Sequence, residues 1–157
     1  MKIADPHRVL LVGAGGVGRK RATAVAAHAG SNLVAVCDVD ETCAASLAGD
    51  HGAITFTDWS SAVRDADADL VIVSTTHDVL SAVSVNALQA GRHVLCEKPL
   101  GRDHDEVARS VDAAAAADRV LRAGYNHRFH PAIAGLHAAA SQGRLGPLIS
   151  VRGRYGH

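Results

Sequence analysis

Six short apolar runs constrain this chain more than any other feature: RVLLVG (8–13), NLVAVCD (32–38), AITF (53–56), DLVIVST (69–75), HVLCEK (93–98) and VLRAGYN (120–126). They are near-continuously apolar rather than alternating. A strand covered by helices on both faces must be apolar on both, so the pattern predicts a parallel sheet. Alanine-rich stretches of helical spacing lie between the runs, from Val17 to Ala29, from Val79 to Ala90 and from Asp105 to Ala117. Asp103 stands three residues before Glu106, the arrangement of a capping box at the start of the last of these. Strand and helix alternate, which predicts a Rossmann-type, doubly wound α/β domain with a mostly parallel sheet.

The remaining composition narrows the setting. A chain of 157 residues suffices for one core-bearing domain, and no internal repeat is visible. Formal net charge is zero, so no field steers the chain toward nucleic acid or an anionic membrane, and neither is expected as a partner. No apolar run approaches the roughly 20 residues of a membrane span. The opening MKIADPHRVLLVG passes from a short apolar run directly into glycines, unlike a secretory signal. Cys37, Cys43 and Cys96 have no metal-type spacing. Reduced thiols and a cytoplasmic location are the expectation.

The first run ends in GAGGVG, in which Gly13, Gly15 and Gly18 fill a G-x-G-x-x-G frame around Gly16 and Val17. In such a frame the first glycine permits a tight turn and the second lets backbone approach a pyrophosphate. The third lets the helix pack close to the strand. The helix amino terminus then offers free N–H groups to the phosphates. The frame follows a predicted strand and opens a predicted helix, and Asp38 ends the second run 20 residues beyond Gly18. That context predicts a dinucleotide site at these five residues and Asp38. A turn that merely packs a helix, or the glycine loop of a methyltransferase, are the alternatives. A carboxylate at Asp38 accepts hydrogen bonds from ribose hydroxyls and opposes a 2′-phosphate. Val39, Asp40 and Glu41 follow it without a base, so NAD is favoured over NADP. Asp38 or Asp40 also suits the cap of a helix beginning near Glu41.

The fifth run raises a separate question. HVLC passes without a turn residue into Glu97, Lys98 and Pro99. Carboxyl ends of strands in an open parallel sheet line the ligand crevice, so these charges are expected at a ligand. A Glu97–Lys98 pair in solvent, with Pro99 ending the strand, is the plain alternative.

GAGGVG, Asp38, CEKPLGR (96–102), GYNHRFHPA (124–132) and GRLGPLISVRGRYGH (143–157) together resemble the Gfo/Idh/MocA oxidoreductases over essentially the whole chain. The resemblance implies that Glu97 lies near the nicotinamide ribose. It implies that Lys98 is catalytic, lying near the reacting carbon and hydrogen-bonding the substrate hydroxyl. Ser74, Thr75 and Thr76 are expected to offer hydroxyls or N–H groups to the cofactor. Many relatives read Thr-Pro there, with a histidine four residues later; Leu80 holds that position here, and His77 is out of register. Tyr125, Asn126 and Arg128 fall where the family places residues around the nicotinamide, Asn126 through its amide; for Arg128 a structural ion pair is the alternative. His127 and His130, three apart, fit two ligands on a helix, but nothing near them completes a metal site and none is expected. Trp59 is expected to be a packing residue, and Cys37 and Cys96 small buried strand residues.

The expected organisation is a dinucleotide-binding domain over 1–128, then over 129–157 a helix and, from Leu148, the first strand of a second domain. In the family that second domain supplies the substrate pocket and an Asp-x-x-x-His sequence, whereas no aspartate follows Arg128 here. The resemblance therefore implies NAD-dependent oxidation of a CH–OH group of a sugar, inositol or related polyol, with these residues alone binding cofactor without turnover. A non-catalytic NAD-binding module, acting as a sensor or completed by a partner chain, is the alternative. An unpaired strand after Gly146 is a pairing hazard, so it is expected either to pair with the same strand of a second copy, giving a homodimer, or to be poorly ordered.

Overall fold

A computed structural model of the protein describes residues 5–154 and 156. The described residues divide after Gly124 into two units. The first carries six parallel strands: β1 (His7–Val12), β2 (Ser31–Cys37), β3 (Ile54–Phe56), β4 (Leu70–Val73), β5 (His93–Cys96) and β6 (Leu121–Ala123). Their order in the sheet is β3-β2-β1-β4-β5-β6, and every pairing is parallel. The chain thus winds outward from β1 in one direction and then from β4 in the other. The crevice of such a sheet opens where the direction reverses, between β1 and β4.

Both faces of the sheet are buried, which is why the runs are apolar at successive residues. Val9 and Leu11 face one side, with Leu33, Val36 and Ile72, under α1 (Gly16–Ala27) and α2 (Glu41–His51). Leu10, Val12, Val71, Val73 and Val94 face the other. There they meet α3 (Trp59–Asp65), α4 (Leu80–Gln89) and α5 (His104–Ala117). The helices meet the sheet largely through alanines, Ala22, Ala44, Ala62, Ala87 and Ala114 among them, whose small side chains permit close approach. A buried pair of serines, Ser81 and Ser110, joins α4 to α5 at 3.2 Å.

Helix starts follow local chemistry. Asp40 caps α2 by accepting from the N–H groups of Thr42 and Cys43, and Asp58 caps α3 by accepting from Ser61. Asp103 caps α5 through the N–H of Glu106. The returning half of the expected capping box differs. Glu106 reaches past Asp103 to the N–H and guanidinium of Arg102. Gly101 makes room for this, since a Cβ there would lie 2.7 Å from the Cβ of Glu106.

The second unit contains a 3₁₀ turn, Asn126–Phe129, and α6 (Pro131–Ser141). His130 caps α6 through Nδ1 and the N–H of Ala132. The strand expected from Leu148 does not form among residues 148–154. Its apolar side chains, Leu148, Ile149 and Val151, are exposed. An apolar run becomes a strand only when a neighbour pairs its backbone, and none of the described residues does so. Among the described residues no helix is long and apolar enough to cross a membrane.

At the amino edge of the sheet Arg8 of β1 clamps Asp69, just before β4. Its own N–H and Nε reach Oδ2 at 2.9 and 3.1 Å, and Nη2 reaches Oδ1 at 2.7 Å. Those bonds hold the Asp69 carboxyl well below the usual carboxylate range. Arg102 lowers Glu106 likewise, and helix N–H groups lower Asp40 and Asp58. A carboxylate with a depressed folded pKa contributes stability above its unfolded pKa, about 4, and the contribution fades as pH falls through the folded value. Thermal midpoints followed by circular dichroism should therefore drop steeply below about pH 4. Asp69→Asn should lower the midpoint at pH 7 and shrink the difference between pH 7 and pH 3. An unchanged difference would remove Asp69 from this role.

Candidate functional site

The six strands end at one level. Phe56, Cys37, Val12, Val73, Cys96 and Ala123 are successive partners across the sheet. The residues that follow them, Thr57, Asp38, Gly13, Ser74, Glu97 and Gly124, form a row along the carboxyl edge. From Asp38 to Gly124, each residue of that row donates its N–H to the last carbonyl of the neighbouring strand, at 2.8–3.1 Å. The edge is thus fixed by backbone hydrogen bonds, and every side chain on it starts from a defined position.

The three glycines of the loop answer to different constraints. Gly13 has φ +101°, and a Cβ there would lie 2.5 Å from the Ser74 carbonyl oxygen. A Cβ on Gly18 would collide with the Gly13 carbonyl. That carbonyl is held in turn by the Ser74 hydroxyl, which donates to it at 2.9 Å. Ser74 therefore has a structural task on the loop besides facing the crevice. Gly15 is different. Its φ of −66° is ordinary, and a Cβ there would meet nothing within 4 Å. No neighbouring atom excludes a side chain there; glycine suits the position as the N-cap of α1, and in a dinucleotide fingerprint the middle glycine also lets backbone approach a pyrophosphate. Gly15 also opens α1 without a side-chain cap, and no acidic residue stands in the first turn. The N–H groups there are left to bind an anion.

Asp38 braces the same loop. Its Oδ2 accepts from the Ala14 N–H at 2.6 Å and its Oδ1 from the Asp40 N–H at 3.0 Å. Since Asp40 caps α2, Asp38 is not the cap. A cleft of about 510 Å³ opens between these groups, a size typical of small-molecule sites. It is lined by Gly13, Gly15, Gly16, Val17, Asp38, Ser74, Thr75 and Thr76, all expected from the sequence. Gly18 lies behind the loop, buried in α1.

The cleft has further walls. Cys37, Val39, Thr57, Trp59, Asp78 and Val79 also line it. Trp59 is packed against the core, as expected, and faces the cleft as well. Burial pushes the Cys37 thiol up to about 12, so it stays neutral. The Thr76 hydroxyl holds the Asp78 carboxyl below its usual range. Thr57 was findable, because it follows the third apolar run as Asp38 follows the second. Asp78 has no such signal.

Glu97 and Lys98 leave the end of β5 beside Ser74. Glu97 does not pair with Lys98. Nε of Arg21, on α1, donates to its Oε1 at 2.5 Å, and Nη2 of Arg21 forms an ion pair with the same oxygen. Both side chains are mostly buried, 21% and 12% exposed. Gly124 packs against the carboxylate: a Cβ there would lie 3.1–3.3 Å from its atoms. Lys98 is exposed. Neither residue is part of the cleft lining. Asn126 and Arg128 occupy the 3₁₀ turn of the second unit.

Residues 7–125 match the model of an oxidoreductase family, described as its NAD-binding Rossmann fold. The chain belongs to the Gfo/Idh/MocA oxidoreductase family. Membership sets NAD above the methyltransferase alternative, since the matched stretch is the family's NAD-binding Rossmann fold. Inositol 2-dehydrogenase 4 of Saccharopolyspora erythraea is 37% identical over 146 residues, covering 90% of this chain and 43% of that protein. An inositol 2-dehydrogenase of Rhizobium meliloti is 33% identical over 141 residues, covering 90% and 42%. Among solved structures, scyllo-inositol dehydrogenase from Lactobacillus casei with bound NAD(H) and scyllo-inositol superposes with a TM-score of 0.86. It is 25% identical, covering 90% of this chain and 43% of that one. The chain thus spans less than half the length of these Gfo/Idh/MocA relatives.

The glycine geometry generates a paired expectation. Gly18→Ala forces a Cβ into fixed backbone and should cost on the order of 1–3 kcal/mol of stability. Gly15→Ala meets open space and should lose only the smaller preference of a helix N-cap for glycine over alanine, so the urea midpoint should fall less than in Gly18→Ala. Equal losses in the two variants would contradict the separation of roles.

Proposed function

We propose that this chain is the cofactor half of an NAD-dependent dehydrogenase acting on a CH–OH group of an inositol, sugar or related polyol. The observation that carries the reading is Gly15, a glycine that no neighbouring atom enforces, on the same edge as Asp38. The inositol dehydrogenases among its relatives support the substrate class. The cleft fits NAD. N–H groups at the start of α1 bind the pyrophosphate, and Gly13, Gly16, Val17 and Gly18 shape the turn that presents them. Asp38 accepts from the adenosine ribose hydroxyls, since each carboxylate oxygen has lone-pair capacity beyond the N–H it already accepts. Ser74, Thr75 and Thr76 line the crevice between the two ends of the cofactor. When bound, NAD supplies the hydride acceptor. Lys98 hydrogen-bonds the substrate hydroxyl and assists the loss of its proton.

The 157 residues by themselves bind cofactor without appreciable turnover. No aspartate follows Arg128 among them, so that stretch carries no Asp-x-x-x-His base. A correctly placed base and the exclusion of water are each worth orders of magnitude in rate.

Titration calorimetry tests the cofactor reading. NAD should bind roughly 5- to 150-fold more tightly than NADP, because an unmatched 2′-phosphate beside Asp38 costs on the order of 1–3 kcal/mol. Gly15→Ala should abolish NAD binding while the fold persists. Equal affinities would take Asp38 out of cofactor selection. NADH production, followed by absorbance against a panel of inositols and sugars, tests the second statement. Saturable activity from these residues alone would overturn it.

A further inference from the structure

We propose that Arg21 is a positioning residue for the nicotinamide end of the cofactor site, acting through Glu97; this rests on the NAD reading above. Three stretches far apart in the sequence converge on one carboxylate. Arg21 comes from the glycine-loop helix, Glu97 from the end of β5, and Gly124 from the end of β6. The Nε–Oε1 bond spans 76 residues.

The physical consequence follows from burial. A guanidinium and a carboxylate that are both mostly shielded attract more strongly than a surface pair, and removing one leaves the other stranded. Gly124 also packs against Glu97, since any side chain there would press on the carboxylate. The Glu97 N–H is fixed to the Val73 carbonyl at 2.8 Å, and Oε1 is fixed by Arg21. Backbone and side chain of Glu97 are therefore both held, and Lys98 is the next residue. The sheet ties β5 to the glycine loop only through β4. Arg21 supplies a direct side-chain tie from α1, whose amino terminus faces the pyrophosphate, to the residue before Lys98. It sets the distance between the two ends of the site without touching the ligand.

The test compares NAD with ADP-ribose, which shares every group except the nicotinamide, in titration calorimetry on the 157-residue chain. In the parent chain NAD should bind more tightly than ADP-ribose. In Arg21→Gln the NAD affinity should fall about tenfold, while ADP-ribose changes less than twofold. Arg21→Lys, which keeps the charge, should recover part of the difference. It also carries the test if the glutamine variant does not fold by circular dichroism. Equal losses for both ligands would make Arg21 a general fold residue, and unchanged NAD binding would remove its role; either result overturns the proposal. Failure of the parent chain to bind either ligand would instead sink the NAD reading on which it rests.

Discussion

The level carboxyl edge of the sheet is the constraint on which the site depends. Six strands of three to seven residues end together, and the last carbonyls of the first five accept from the residue that follows a neighbouring strand. Moving any one strand by a residue would exchange the side chains packed on its two faces and would displace the site residue at its tip. Stability and site geometry are consequently set by the same register. The apolar runs that pay for folding also decide where Asp38, Gly13, Ser74 and Glu97 stand.

At that edge, several residues serve the protein before they serve a ligand. Ser74 holds the Gly13 carbonyl, Asp38 holds the Ala14 N–H, and Glu97 is held by Arg21. Groups already committed in this way are pre-oriented, so less ordering is needed when a ligand arrives. The cost of holding them was met on folding. Part of the CEKPLGR stretch is likewise structural: Gly101 and Arg102 accommodate and bind Glu106 at the start of α5.

What could be read from the sequence divides along physical lines. All six strands were legible, because burial on both faces leaves a run of apolar residues with little ambiguity. The glycine loop was legible because its chemistry is local. The partner of Glu97 was not: Arg21 lies 76 residues away, and its reach depends on the rotation of α1 about its axis, which no local pattern records. Asp78 and Val79 were missed as cleft walls for the same reason. The strand at Leu148 was expected from apolar composition alone, yet backbone pairing decides strands, and among the described residues it finds no partner.

The contrast among Gly13, Gly15 and Gly18 bears on how such a chain would drift. Two of the three glycines are enforced by neighbouring backbone, so any descendant that still folds must keep them, whatever it has ceased to bind. Gly15 meets no atom that excludes a side chain. A lineage that abandoned its cofactor could put serine or another helix-capping residue there at little cost in folding. The middle glycine is thus the one of the three whose fate can separate from that of the fold, while its neighbours on either side record the architecture.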